Sequence, residues 1–182
     1  MNLNRLKLLY LLHLSRPSAD RLVYRSVRRQ HARRIVEVGI GTARRALRLI
    51  QVAGGDDGAA DIQYTGIDLF EDRSEADGEG LSLKEAHRLL KATGARVRLV
   101  PGDPETGLSS VANALGKVDL LLLSPRPDAG QLGHAWFFIP RLLHPRTLVF
   151  LESFSAEGLA SLRRVDPAEI HQRAGAIYRR AA

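Results

Sequence analysis

The chain has no cysteine, one methionine and one tryptophan among its 182 residues, and aromatic residues make up only 5% of it. Without cysteine there is no disulfide framework, no thiolate nucleophile and no thiolate metal ligand. The absence fits a reducing, cytoplasmic compartment. Scarce aromatics argue against a stacking platform for single-stranded nucleic acid, which needs rings set among cations. Long apolar runs are missing too. Near the start the longest is Leu8 to Leu12, far too short to cross a bilayer, so no membrane association is expected. Arg5 and Lys7 ahead of it resemble the start of a signal peptide, yet no small-residue cleavage site follows before Arg16-Pro17.

What is present is a chain with 45% hydrophobic residues, enough for a single domain with a sizeable core. The formal charge of +7 is unevenly placed. Residues 1–36 hold nine Lys/Arg and one acid, Asp20, whereas residues 37–162 hold thirteen basic and seventeen acidic residues. Arg25, Arg28, Arg29, Arg33 and Arg34 are the densest part of the basic end. Such a cluster is either a solvated helix face or a patch for nucleic acid or another anion.

Hydrophobic periodicity predicts a leucine-rich helix over 3–14 and a second over 19–32, capped by Ser18. Strands are expected at 35–38, 62–67, 97–100, 118–123 and 147–151. Helices are expected between them at 42–53, 83–93, 107–115 and 136–143. Alternating elements at this spacing predict a three-layer, doubly wound α/β fold with a mostly parallel sheet and extra helices at the start. The expected organisation is a basic helical extension over 1–34, an α/β core over 35–153 and a segment over 154–182 that completes the fold. Within that last segment one or two helices, or a helix and a strand at 176–179, are equally compatible with the pattern.

The most informative stretch is Ile35-Val-Glu37-Val-Gly39-Ile-Gly41-Thr-Ala43. A strand, a glycine turn and a helix start let backbone N–H groups approach a cofactor closely. Glu37 would repel a pyrophosphate and attract an ammonium group, which favours a sulfonium nucleoside over NAD. In doubly wound sheets, ligands bind beyond the carboxyl ends of the strands. Asp68 ends the second predicted strand, placed to accept from two ribose hydroxyls, with Leu69 and Phe70 beside it for the adenine. Gly102-Asp103 follows the third strand, Ser124-Pro125 the fourth and Glu152-Ser153 the fifth. Taken alone, each is also a good cap or turn residue.

These residues resemble the class I S-adenosylmethionine-dependent methyltransferases, whose pattern of an acid, one residue and Gly-x-Gly-x-Gly is matched with Ala43 in the third glycine position. The resemblance covers about residues 33–153. It implies S-adenosylmethionine as cofactor, with Gly39 and Gly41 at its methionine part, Asp68 on the ribose and Asp103 near the adenine; the strand-end residues Glu37, Leu69 and Ser124 complete the expected cofactor site. The dinucleotide pattern Gly-x-Gly-x-x-Gly fails at Arg44.

The acceptor side departs from the family. Ser124-Pro125-Arg126-Pro127 stands where members acting on bases or amides carry Asn/Asp-Pro-Pro-aromatic. The nearest pattern is that of the small-molecule O-methyltransferases, but their metal ligands are replaced here by Ser124 and Glu152-Ser153, so no metal is expected. Asp128 and His134, in the loop after the fourth strand, are the candidates for a catalytic base. His134 is equally suited to begin the helix containing Trp136. The sequence thus predicts a methyltransferase, with a small-molecule acceptor slightly favoured. The alternative is a non-catalytic protein of the same fold that uses its basic first 34 residues to bind nucleic acid or a protein partner.

Overall fold

A computed structural model of the chain describes residues 5–124, 132–154 and 160–181. Six strands form one sheet: β1 (Arg34–Val38), β2 (Gln63–Asp68), β3 (Arg96–Pro101), β4 (Leu120–Leu123), β5 (Leu148–Phe154) and β6 (Ala160–Arg164). Their spatial order is β3-β2-β1-β4-β5-β6, so the chain order reverses between β1 and β4. The first five run parallel, and β6 pairs antiparallel with β5. The three-layer, mostly parallel α/β architecture expected from the sequence is therefore the one observed.

Helices α1 (Arg5–His13), α2 (Asp20–Gln30), α3 (Arg44–Gly54) and α4 (Leu83–Lys91) cover one face of the sheet. The other face carries α5 (Pro104–Val111), α6 (Ile139–Leu142) and α7 (Pro167–Ala181). The four leucines of β4 explain why that strand reads as an unbroken apolar run. Leu120 and Leu122 enter the first core, Leu121 and Leu123 the second, and all four are buried. Leu11, Val23, Tyr24 and Val27 carry α1 and α2 into the first core beside Leu49 and Ile50 of α3. No described helix is long and apolar enough to cross a membrane.

Local sequence accounts for the starts of α4 and α5. At α4 a capping box closes the first turn, with Glu85 N donating to Ser82 Oγ and Ser82 N to Glu85 Oε2. Asp103 caps α5 and Pro104 follows at its first position. That helix therefore begins ahead of the predicted 107. Ser18 does not cap α2 with its side chain: the helix starts at Asp20 after Ala19, and no side chain closes it. The predicted helix over 136–143 divides into a 3₁₀ turn over Gly133–Phe137 and the short α6. Beyond β5 the chain forms a strand and then a long helix, so 176–179 lies in α7 and is not the final strand.

Candidate functional site

The sheet places the end of β1, the glycine turn and the ends of β2 and β4 side by side at the switch in strand order. Gly39 and Gly41 adopt left-handed backbone, with φ of 84° and 56°. A Cβ on Gly39 would lie 2.4 Å from the carbonyl oxygen of Ser124, so no other residue fits there without displacing β4's end. Ala43, in the third glycine position, also has a left-handed φ of 58°, at some cost in strain for a residue with a Cβ.

Asp68 ties the turn to β2. Its Oδ2 accepts from Gly41 N at 2.6 Å, and its Oδ1 accepts from Leu69 N at 2.7 Å and from Arg73 Nη2. A carboxylate offers about four acceptor positions. Three are taken, which leaves one on Oδ2, where the sequence had suggested room for two hydroxyls. Arg73 belongs to the segment after β2 and also donates from Nη1 to the carbonyl of Asp77 at 2.8 Å. Its Nε is buried without a partner, and a Cβ on Gly80 would press within 2.1 Å of it.

Glu37 takes a different position from the one its place in the motif suggests. Side chains alternate along β1, so Ile35 and Glu37 face the α1–α4 layer while Val36 and Val38 face the other. There the Glu37 carboxylate is fully enclosed. Its Oε1 accepts from Arg45 Nε at 2.9 Å and its Oε2 from the Tyr64 hydroxyl at 2.7 Å. Burial pushes the Glu37 carboxyl up, and Arg45 and Tyr64 work against that rise.

Arg45 is the centre of a larger cluster that the sequence did not announce. Its Nη1 and Nη2 donate to the two oxygens of Glu152 at 3.0 and 3.2 Å, and Nη2 donates to Ser124 Oγ at 2.5 Å. Asp20 Oδ1 pairs with Nη1 at 3.6 Å, too far for a hydrogen bond, and is buried with no hydrogen-bond donor. Burial raises the Asp20 carboxyl against the pull of Arg45. Burial opposes the charge of Arg45 itself, but Glu37 and Glu152 more than outweigh it and raise its affinity for the proton. Three carboxylates thus surround one guanidinium. The available sequence signal was Asp20, the only acid among the first 36 residues.

The remaining predicted residues sit at the rim. Asp103 is exposed and serves α5: Oδ1 accepts from Glu105 N and Thr106 N, and Oδ2 from Thr106 Oγ1 at 2.9 Å. The N–H of Thr106 is the main reason its carboxyl lies below the usual range. Leu69 is half-buried beside Asp68. His134 stands exposed in the 3₁₀ turn, with Nδ1 3.4 Å from Glu105 Oε1. Asp128 lies outside the described residues.

No family model matches the sequence, and no curated protein matches it. Solved structures do. The O-methyltransferase TomG from Streptomyces achromogenes, crystallised with S-adenosylmethionine, is 17% identical with a TM-score of 0.56, over 78% of this chain and 57% of its own. An O-methyltransferase from Bacillus cereus in complex with S-adenosylhomocysteine is 17% identical with a TM-score of 0.57, over 92% and 70%. A methyltransferase from Agrobacterium tumefaciens that depends on S-adenosylmethionine is 14% identical with a TM-score of 0.51, over 85% and 49%. The chain therefore spans between about half and 70% of these proteins' lengths. Its fold is the Rossmann-like fold of the class I S-adenosylmethionine-dependent methyltransferases.

Proposed function

We propose that this chain binds S-adenosylmethionine beyond the carboxyl ends of β1, β2 and β4 and transfers its methyl group to a small-molecule acceptor. The observation that carries this reading is the bond from Gly41 N to Asp68 Oδ2. It joins the close-approach turn to the one carboxylate at the end of β2 and leaves Oδ2 an acceptor position for a ribose hydroxyl.

The residues fit the cofactor in charge as well as in shape. The cluster sets the three carboxyl groups of Asp20, Glu37 and Glu152 around one guanidinium, and Asp20 Oδ1 lacks a hydrogen-bond donor. Such an arrangement favours a cationic ligand nearby. Glu37 contributes to this field from below, through Arg45, and does not itself reach the ligand. Gly39 and Gly41 give the backbone room, Leu69 offers an apolar contact to the nucleoside, and Asp103 is exposed for the adenine amino group. Bound S-adenosylmethionine supplies an electrophilic methyl on a sulfonium leaving group. The protein's task is then alignment of the acceptor, which supplies most of the rate in such transfers. His134 or Asp128 would take the acceptor's proton.

Calorimetry with S-adenosylhomocysteine tests the reading. The wild type should bind, and Asp68→Ala should weaken binding at least ten-fold. Absence of binding at millimolar ligand would overturn the proposal.

A further inference from the structure

At the opposite end of the sheet, the amino ends of β1, β4 and β5, the chain gathers cations from five places along its length. Arg29 lies in the last turn of α2, Arg33 precedes β1 and Arg34 opens it, Lys117 precedes β4, Arg141 lies in α6, and Arg146 precedes β5. Arg33 is half-buried and the other five are exposed. Among the described residues, none of the six forms an ion pair through its side chain. Arg34 donates to the carbonyl of Lys117 at 3.4 Å, Lys117 to that of Arg141 at 3.1 Å, and Arg141 to the side-chain amide of Asn113 at 3.0 Å. The Arg141 guanidinium also lies over the Phe137 and Phe138 rings, 5.0 and 5.4 Å from their centres, and these neutral partners place the side chains without setting a carboxylate against them.

A cleft of about 490 Å³ opens in this face, lined on its basic side by Arg29, Arg33 and Arg146, with His31 and His144 between them. Asp119 is its only described carboxylate, and it is committed to the fold. Its Oδ2 accepts from both Arg33 N and Arg34 N at 2.8 Å, and its Oδ1 lies 3.3 Å from His144 Nε2. His144 Nδ1 in turn accepts from Arg146 N at 3.1 Å. This small network anchors the floor of the cleft and fixes the backbones from which Arg33 and Arg146 project.

We infer that this edge, with its row of unpaired Arg29, Arg33, Arg34, Lys117, Arg141 and Arg146, is a second binding site that takes the phosphate backbone of a nucleic acid. Neighbouring strands are about 4.8 Å apart, so cations across β1, β4 and β5 form a row longer than one phosphate. A chain of phosphates matches such a row better than an isolated anion does. An anionic membrane matches it less well, because the large exposed apolar side chains lie elsewhere, mainly on α1 and at Leu22, Leu89 and Tyr178. No exposed aromatic ring lines the cleft, so the contact is to backbone and is blind to sequence. The site is independent of methyl transfer, since it lies at the other end of the strands from Asp68 and Gly41.

Fluorescence anisotropy with a labelled 20-nucleotide RNA and a 20-base-pair DNA tests the inference. Binding to at least one of them is expected. With about four phosphates neutralised, affinity for the single strand should fall about fifty-fold between 50 and 200 mM salt. Arg29→Glu/Arg146→Glu should weaken binding at least ten-fold at 50 mM salt, and Arg29→Gln/Arg146→Gln should weaken it to a lesser degree. The reversal Arg88→Glu/Lys91→Glu, on exposed α4 positions, is the control for overall charge and should leave most of the affinity. Unchanged thermal unfolding and S-adenosylhomocysteine binding would show that the variants fold. The inference is overturned by no binding at 50 mM salt, by an equal loss in the control, or by binding to phosphatidylserine vesicles without binding to either nucleic acid.

Discussion

The two ends of this sheet handle charge in opposite ways. At the carboxyl ends, Arg45 and Arg73 are drawn inward and locked onto Asp20, Glu37, Glu152 and Asp68. At the amino ends, the six cations meet carbonyls, an amide, the Phe137 and Phe138 rings or solvent, and no described carboxylate pairs with their side chains. Residue counts alone miss this difference, because both ends are rich in arginine. A guanidinium ringed by buried carboxyl groups is part of the fold, and there the acids outnumber it three to one. A guanidinium held by neutral groups keeps its field and acts on whatever approaches. The chain is thus electrically polarised along its strands, and each end suits a ligand of opposite sign.

Removing the centre of the buried cluster should break this contrast most severely. Arg45→Met leaves Glu37 enclosed with no cation, at a cost of about 3–5 kcal/mol measurable by urea unfolding. The loss should depend on pH with a defined sign. Burial already lifts the Glu37 and Asp20 carboxyls above their unfolded values, and loss of Arg45 lifts them further. The variant should therefore be most stable below the unfolded carboxyl range of about 4 and lose stability as pH rises through the raised folded values. Arg45→Met/Glu37→Gln should recover much of the loss at pH 7.5. Equal stability of the single and double variants there would refute this account of Glu37.

Gly39→Ala comes next. It forces a Cβ toward Ser124 and a left-handed backbone on alanine, for about 2–3 kcal/mol by thermal unfolding. S-adenosylhomocysteine binding should fall with it, while nucleic-acid binding at the far edge should remain. The smallest effect belongs to a surface trio of charges that sharpens the comparison by contrast. Glu169 is held between Arg163 and Arg173, and the bonds from Arg163 hold its carboxyl down at about 2. Glu169→Gln should cost less than about 1 kcal/mol at pH 7. Because that carboxyl is lowered on folding, its contribution is present above the unfolded range and fades as pH drops toward 2. The difference between variant and wild type should shrink on acidification, as it should for Arg45→Met, but over a lower pH range, because folding lowers this carboxyl and raises those beside Arg45.

The first five strands and the glycine turn were legible because each rests on local chemistry: apolar and β-branched runs, and left-handed backbone. The grouping of Gly39, Gly41 and Asp68 was legible because the doubly wound fold brings strand ends together. Glu37 shows where local reading stops. Its motif marks it as important, but the face it points to depends on β1's pleat, and its partners come from α3 and β2. Arg45 looked like one more polar residue in an amphipathic helix, since its acids lie 25 residues before it, 8 before it and 107 after it. β6 was missed because Ala-Ser-Leu-Arg-Arg has no β-branched residue, and it becomes a strand through its pairing with β5.

The sheet's two outermost strands carry a further consequence. β3 exposes Arg96, Arg98 and Pro101, and β6 exposes Arg163 and Arg164. An outer strand with free backbone groups is a template on which another chain can add, and charge and proline are the usual deterrents. The arginines that make these two segments poor strands by composition also guard the protein against growing into fibres. Replacing Arg98 and Arg164 by valine would suit the strands locally and turn both flanks into sites for self-association.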